Sequence, residues 1–245
     1  MLGITVAIWL GNRRFLVSAP HGKSVVSEVA ITAVPFGIVG GRIYHVITSP
    51  DAYFGSGGHP IDAFKIWEGG LGIWGAISLG TFAAWFRYRS LAARMDLPSF
   101  SYFLDALAPG ILFAQAIGRF GNWFNVELFG RPLDAPWALS IPMNQRPIGY
   151  TQFETFHPTF LYEAVWATFL AIILMRVGVR LHSGQVFSLY IAGYCLGRIA
   201  IESIRIDEAQ QFFGLRLNVL VGIVIGVSAM IVFLRQNKEP SENLR

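Results

Sequence analysis

Residues 217–234 read LNVLVGIVIGVSAMIVFL, a run of 18 residues without a charged side chain. About 20 apolar residues in a helix suffice to cross the hydrocarbon core of a bilayer. Five similar stretches precede this one, at residues 26–46, 66–86, 102–119, 160–176 and 186–204. The apolar opening, residues 1–11, is about half as long as a span. The sequence therefore predicts an all-α, polytopic transmembrane helical bundle with six complete helices and the second half of another.

The composition of the chain agrees with a membrane protein. Hydrophobic residues make up 53% of the 245 residues and charged residues 14%, whereas a soluble domain carries about 25% charged residues. The mean hydropathy is +0.49. We expect one integral membrane domain over residues 1–235 and a polar cytoplasmic tail over residues 236–245.

Charge and cysteine content exclude several classes of function. The formal net charge of +4 is small and scattered, and without a basic run we expect no nucleic-acid partner. The single cysteine, Cys195, rules out an intramolecular disulfide and a cysteine-based zinc site. No nucleotide-binding loop, zinc-protease motif or serine-hydrolase motif is present in the sequence.

Loop charges predict the orientation of the chain in the membrane. If the first segment exits into the cytoplasm, 11 of the 19 basic residues fall in cytoplasmic loops or in the tail, as the positive-inside rule requires. The C-terminus is then cytoplasmic. The other eight basic residues lie on or near the outer side: Arg42, Lys65, Arg119, Arg131, Arg146, Arg198, Arg205 and Arg216.

These outer arginines are the candidate functional residues. Charge at membrane depth is costly and is usually paired or functional. The planar guanidinium presents a fork of donors that suits phosphate and carboxylate groups. We therefore expect an anion-binding site on the outer side of the membrane.

The first polar cluster follows directly on an apolar helix and reads GRFGNWFNVELFG at residues 118–130. Arg119 and Asn122 are three positions apart and share a face if the helix continues. Glu127 supplies an acid within reach. The alternative interpretation is a capped helix end with an internal Arg–Glu pair.

A second cluster lies on one helix stripe and consists of Tyr194, Arg198, Glu202 and Arg205. Their spacings of four, four and three residues place them on one face. Arg198 and Glu202 are a natural ion pair. The alternative interpretation is a structural ladder of salt bridges that faces the bundle.

A third cluster begins with His157 and Pro158 and opens a helix that contains Glu163. Proline suits the first helical turn, and a neutral imidazole near the positive helix end can act as a base. The alternative is an ordinary polar contact by His157. Arg42, Tyr44 and His45 end another span.

Two further features belong to the fold. Asp105 is an acid inside an apolar span, and we expect it to form an ion pair or to hydrogen-bond within the bundle. The segment around residues 120–158 is rich in proline. It is predicted to be irregular and extracytoplasmic, with a short strand pair.

Together these segments resemble the bacterial prolipoprotein diacylglyceryl transferase family, over nearly the whole chain and in order. The residues that carry the resemblance are GRFGNWFNVE at 118–127 with Gly130, GRIY at 41–44, GGL at 69–71, HP at 157–158 with LYE at 161–163, and Tyr194, Arg198, Glu202 and Arg205. The position at which many members of the family carry a histidine in the glycine-rich segment is Trp74 here.

The resemblance implies a seven-helix enzyme, truncated in its first helix here, with an outer active site in the bacterial plasma (inner) membrane. Such an enzyme moves the diacylglyceryl group of phosphatidylglycerol to the lipobox cysteine of prolipoprotein signal peptides and releases glycerol phosphate, without a metal or cofactor. The candidate catalytic residues, from the resemblance and from the position of His157 at a helix start, are Arg119, Arg198, Glu202 and His157. The implied substrate-binding residues are Arg119, Asn122, Glu127, Gly130, Tyr194, Arg42, Tyr44 and Arg205.

For the mechanism, we expect Arg119 and Arg198 to clamp the lipid phosphate, with Glu202 and Glu127 orienting them. The base that removes the thiol proton is left open among His157, Glu127 and water near the arginines. The alternative functions are a membrane transporter or lipid flippase with an anionic-lipid site, for which no internal repeat is evident, and a purely structural membrane subunit.

Overall fold

A computed structural model describes residues 1–207, 211–212 and 214–236 of the chain. Eight α-helices lie within these residues: α1 (Leu2–Phe15), α2 (Val25–Thr48), α3 (Asp51–Phe54), α4 (Ile73–Ala92), α5 (Phe100–Phe124), α6 (Thr159–Val177), α7 (Gln185–Glu202) and α8 (Leu217–Gln236). The predicted all-helical architecture is confirmed. Two short hairpins join the helices, β1 (Leu139–Ser140) with β2 (Thr155–Phe156) and β3 (Gln211–Phe212) with β4 (Leu215–Arg216).

Four helical segments in the described part of the chain are long and apolar enough to cross a membrane: Val25–Thr48, Phe100–Phe124, Thr159–Arg180 and Leu217–Gln236. Each corresponds to a predicted span. Helices α4 and α7 also form where spans were predicted, but α7 carries polar residues at both ends. The assignment of these two helices and α1 as membrane-crossing stays a prediction. The predicted tail lies outside the described residues except for Gln236, which ends α8.

The chain divides into two compact units, one formed by Met1–Gly11 with Ser101–Arg245 and the other by Asn12–Phe100. In the first unit, α5, α6 and α7 share an apolar core of small and branched side chains. Its buried members are Ala108, Leu112, Ala116, Ala164, Ala167, Leu170, Ala171, Leu174 and Val186. In lipid, no strong hydrophobic force drives helices together. Small side chains instead allow close packing of the helices.

The second unit is built on the pairing of α2 with α4. Gly40 of α2 faces Gly75 of α4, and the two backbones lie very close together there. A Cβ added to Gly75 would be only 2.1 Å from the carbonyl oxygen of Gly40, so a larger residue does not fit. Glu28 of α2 and Arg87 of α4 form an ion pair. The predicted span at 66–86 begins later in the structure, at Ile73, because Gly69 and Gly70 adopt positive φ angles of 89° and 72° that interrupt a helix.

Asp105 joins two helices of the first unit. Its carboxylate accepts hydrogen bonds from the backbone N–H groups of Gly184 at 2.6 Å and Phe187 at 2.7 Å. These groups belong to the start of α7, whose first N–H groups have no partner within the helix. The predicted hydrogen bonding of this buried acid is confirmed, and it caps α7 from α5.

The segment between α5 and α6 contains the predicted strand pair. Leu139 pairs with Phe156, and Ser140 pairs with Thr155. Beneath this hairpin, Phe129, Ile141 and Phe156 form a small buried apolar cluster. The hairpin therefore has a core of its own and is anchored beside the first turn of α6.

Candidate active site

Three helices supply the central side chains of the candidate site. Helix α5 continues through Arg119 to Phe124, α6 begins at Thr159, and α7 ends at Glu202. Arg119 therefore lies near the end of α5, Glu163 in the first turns of α6 and Arg198 in the last turns of α7. The C-terminal ends of α5 and α7 therefore lie beside the N-terminal end of α6.

Glu163 bridges the two principal arginines. Its Oε2 lies 2.7 Å from Nε of Arg119, and its Oε1 lies 3.2 Å from Nη1 of Arg198. The carboxylate is 8% exposed, whereas the arginine side chains are 20% and 22% exposed. One buried acid thus fixes two guanidinium groups that still reach the surface, which is the arrangement needed to present both to an anion.

Glu202, at the end of α7, is fully buried and is surrounded by cations. Its Oε2 lies 2.9 Å from Nη2 of Arg198 and 3.5 Å from Nη1 of Arg205. Its Oε1 pairs with Nε of Arg216 at 2.9 Å and accepts a hydrogen bond from Asn218 at 3.1 Å. The predicted ion pair of Arg198 with Glu202 is confirmed. A buried carboxylate of this kind is tolerated because several cations surround it.

Arg205 differs from the prediction in its position. Helix α7 ends before it, so Arg205 is not on the helix stripe; it forms an antiparallel bridge with Gly130 instead. Its guanidinium donates to both oxygens of Asp207, at 2.7 and 2.9 Å. Burial alone would raise the pKa of Asp207, but the hydrogen bonds and charge of Arg205, with Arg216 beside it, hold that pKa below its ordinary value.

Tyr194 extends the cluster toward α5. Its hydroxyl accepts a hydrogen bond from Nη2 of Arg119 at 3.0 Å. A narrow cleft of about 10 Å³ lies between Gln115, Arg119, Tyr194 and Arg198, which is room for about one water molecule. An anion would therefore meet the exposed faces of the arginines and not the space between them.

Glu127 does not orient Arg119 as the sequence predicted. It accepts hydrogen bonds from Asn122 at 2.9 Å and Asn125 at 3.2 Å, and Glu163 is the acid at Arg119. The backbone explains the difference, because Val126 and Leu128 have positive φ angles of 52° and 60° and turn the chain sharply after α5. Positive φ is unfavourable for branched side chains and is often retained at functional sites.

Gly130 and His157 lie together at the base of the hairpin. The N–H of Gly130 donates to the carbonyl of His157 at 2.9 Å, and a Cβ added to Gly130 would lie 2.8 Å from Cβ of His157. Nδ1 of His157 lies 3.1 Å from the hydroxyl of Tyr162. Gly130 thus permits close approach of two segments, and its predicted contact with substrate stays a prediction.

Arg42 and Tyr44 belong to the other compact unit. Arg42 is buried and donates from Nε to the carbonyl of Ala63 at 2.7 Å, from Nη1 to those of Gly69 at 2.5 Å and Gly70 at 3.1 Å, and from Nη2 to that of Asp62. Its guanidinium therefore fastens the loop before α4. The predicted binding of substrate by Arg42 and Tyr44 stays a prediction.

From the sequence, Glu163 was placed in the third cluster and Arg216 among the outer arginines, but neither was assigned a role in the site, and Asp207 was not considered. The sequence did indicate that Glu163 is important, because it is an acid within the apolar stretch 160–176. Its role depends on which helices are neighbours, and spacing along one helix cannot supply that. Arg216 contacts Glu202, and Asp207 contacts Arg205 and Arg216, because the chain folds back between α7 and α8. No periodic pattern in the sequence marks that turn.

The chain is similar to known proteins over nearly its whole length. A family model described as prolipoprotein diacylglyceryl transferase matches residues 1–235. The phosphatidylglycerol–prolipoprotein diacylglyceryl transferase 2 of Streptomyces coelicolor is 51% identical over 94% of this chain and 71% of its own length. The corresponding enzyme of Streptomyces griseus is 50% identical over 94% of the chain and 69% of its own length. That of Cutibacterium acnes is 48% identical over 96% and 78%.

Proposed function

Because the chain belongs to the prolipoprotein diacylglyceryl transferase family, we propose that it transfers the diacylglyceryl group of phosphatidylglycerol to the lipobox cysteine of prolipoproteins. The observation that carries this proposal is the family match over residues 1–235. The buried Glu163 that holds Arg119 and Arg198 supports it, because the reaction needs a fixed site for a phosphate ester.

The reaction forms one bond and breaks one. The cysteine sulfur attacks the glyceryl carbon that carries the phosphate, an S–C bond forms, and the C–O bond to the phosphate breaks. The thiol proton leaves with the base or with the released phosphate monoester. The leaving group is glycerol phosphate, whose negative charge increases as it departs, so cations at the phosphate lower the barrier.

Arg119 and Arg198 are proposed to contact the phosphate with their exposed faces. Both are fixed by buried acids, Glu163 and Glu202. Fixed donors stabilise a developing charge without reorganisation during the reaction. Tyr194 holds Arg119 in place, and Asn122 with Glu127 offers polar groups to the lipid head group on the same end of α5.

His157 is proposed as the base for the thiol. With its proton on Nδ1, the imidazole donates to the hydroxyl of Tyr162, 3.1 Å away, and Nε2 is left as an acceptor. Tyr162 is itself held by the indole N–H of Trp137 at 3.2 Å. A ring fixed in this way can take a proton from a thiol that reaches it.

The proposed setting is the bacterial plasma membrane, with residues 1–235 acting as one catalytic domain. The chain is a multi-pass helical membrane protein. The charge of the loops supports an extracytoplasmic site and a cytoplasmic C-terminus. Phosphatidylglycerol would enter from the bilayer, and the lipobox segment would lie at the outer membrane surface.

The test is direct detection of the product. Purified protein in lipid is incubated with phosphatidylglycerol and a lipobox peptide, and the peptide is analysed by mass spectrometry. We expect an increase in mass by one diacylglyceryl group at the cysteine. Movement of fluorescent phosphatidylglycerol between leaflets without any adduct would instead favour a transporter or flippase.

A further inference from the structure

Beside the arginine pair, the first compact unit contains a second and much larger cavity. Its volume is about 670 Å³, and its wall includes Arg131, Tyr150, Arg205, Asp207 and Arg216. Nearly all of the lining residues are polar. A pocket that binds acyl chains is mostly apolar, so this cavity does not suit the lipid tails.

The cavity and the arginine pair share one residue, Glu202. This carboxylate lines the cavity, and its Oε2 lies 2.9 Å from Nη2 of Arg198. Glu202 therefore links the cavity to Arg198. The cleft on the other side of Arg198 has room for about one water molecule, so it cannot take a head group.

The wall offers both donors and acceptors. Three arginines face two carboxylates, Glu202 and Asp207, which leaves one formal positive charge in excess. Within the residues described, Nη1 of Arg205 and Oε2 of Glu202 are buried without a hydrogen bond of good geometry, although each takes part in an ion pair. Buried polar atoms in this condition are commonly completed by a ligand or water.

We propose that this cavity receives glycerol phosphate, the leaving group, when it separates from the arginine pair. This inference rests on the proposed transferase activity. Arginine N–H groups suit the phosphate, and the carboxylates accept hydrogen bonds from the glycerol hydroxyls. A ligand that carries both a phosphate and hydroxyl groups can use the arginines and the carboxylates of the wall together. Inorganic phosphate alone can use the arginines, and glycerol alone can use the carboxylates.

Arg131 and Tyr150 are the residues to change, because neither belongs to the buried ion-pair network. Arg131 is exposed, and one of its N–H groups donates to the carbonyl of Ser203 at 2.9 Å. Its backbone is fixed by hydrogen bonds to Ile204 and His157, so replacing the side chain leaves the chain path intact. Arg180, exposed after the opposite end of α6, provides a control with the same change of charge.

The experiment measures binding by calorimetry with purified full-length chain in detergent, using glycerol phosphate, inorganic phosphate and glycerol as separate probes. We expect Arg131→Gln and Tyr150→Phe each to weaken binding of glycerol phosphate by about 5- to 10-fold, as loss of one charged or polar contact predicts. Arg180→Gln should bind glycerol phosphate as tightly as the unmodified chain. Arg131→Lys should bind it more tightly than Arg131→Gln does. Inorganic phosphate and glycerol should each bind more weakly than glycerol phosphate.

Two results would overturn the inference: unchanged affinity in both cavity variants, or inorganic phosphate binding as tightly as glycerol phosphate. The adduct assay separates this inference from the proposed function. An adduct formed by a chain that does not bind glycerol phosphate overturns the cavity assignment alone. Cavity-dependent binding without any adduct overturns the transferase activity and leaves an anion site.

Discussion

At the scale of single residues, Glu163 determines how the two arginines are presented. We expect Glu163→Gln to lower kcat/KM for diacylglyceryl transfer by about 10- to 100-fold, because misplacing a binding group by about 1 Å has an effect of that size. The amide keeps the shape of the side chain but cannot neutralise Arg119 and Arg198, 2.7 and 3.2 Å away. The measurement is the initial rate of adduct formation at several lipid concentrations.

Glu154→Gln is the matched control for this change. Glu154 is exposed on the hairpin segment between α5 and α6, and its loss should leave the rate within about twofold, as is usual for surface positions. A Glu163→Gln enzyme with the kinetics of this control would show that Glu163 does not position the arginines.

The arginines themselves should not tolerate replacement by lysine. Lysine keeps the charge but has no planar fork, so it cannot contact an acid and a phosphate at once as Arg119 and Arg198 are arranged to do. We expect Arg119→Lys and Arg198→Lys each to lower the rate by about 100- to 1000-fold while the protein still inserts in the membrane. Near-normal turnover by either variant would exclude a phosphate clamp.

The base assignment predicts a change in pH dependence. A histidine base accepts a proton only in its neutral form, so transfer that uses one is expected to slow toward acid pH. In His157→Gln that dependence should disappear and the remaining rate should be lower. The pH–rate profile of adduct formation tests this; the same acid limb in both enzymes would remove His157 from the role.

The residue-level prediction from sequence was strongest where both partners lie on one helix. Arg198 and Glu202 are four positions apart, and their contact follows from helical geometry. The acid at Arg119 was assigned to Glu127, which is near in sequence, whereas the structure places Glu163 there from another helix. Contacts across helices depend on which faces pack together, and a single sequence does not specify that.

At the scale of elements, α7 depends on a cap supplied by α5. Asp105→Ala removes the acceptor for the N–H groups of Gly184 and Phe187 and leaves them buried. We expect a loss of about 2 kcal/mol in stability, typical of hydrogen bonds to a charged group, seen as a lower midpoint of thermal unfolding in detergent. Because α7 carries Arg198 and Glu202, the rate of transfer should fall as well.

Asp134→Ala removes an exposed acid from the segment after α5 and serves as the control for Asp105. Its unfolding midpoint should match that of the unmodified chain. Equal midpoints for the two variants would mean that the contact from α5 does not stabilise α7.

The hydropathy of the sequence predicted the positions of nearly all the long helices. All six long apolar stretches became helices, and the short strand pair formed in the proline-rich segment. The misplaced boundary, at the start of α4, lies where Gly69 and Gly70 adopt positive φ. Apolar character alone does not show this, because Ile66 and Trp67 extend the apolar pattern into a segment that the glycines keep out of the helix.

At the scale of the whole molecule, the loop charges make a testable statement about sidedness. In a Cys195→Ala background, Asn144→Cys lies in the segment between α5 and α6, and Ala93→Cys follows α4; both positions are exposed. We expect a membrane-impermeant maleimide to label Asn144→Cys in intact protoplasts and Ala93→Cys after lysis. The opposite labelling would invert the orientation and put the arginine pair on the cytoplasmic side.

The attachment of Arg42 has a consequence for how freely the loop before α4 can change. Among the groups that the structure describes, the acceptors of its guanidinium are main-chain carbonyls, at Asp62, Ala63, Gly69 and Gly70. Any amino acid supplies that carbonyl, so the side chains of the loop can be exchanged while its path is kept. In a saturation mutagenesis scan, Asp62 and Ala63 should tolerate many substitutions, whereas Arg42 and the two glycines should tolerate few.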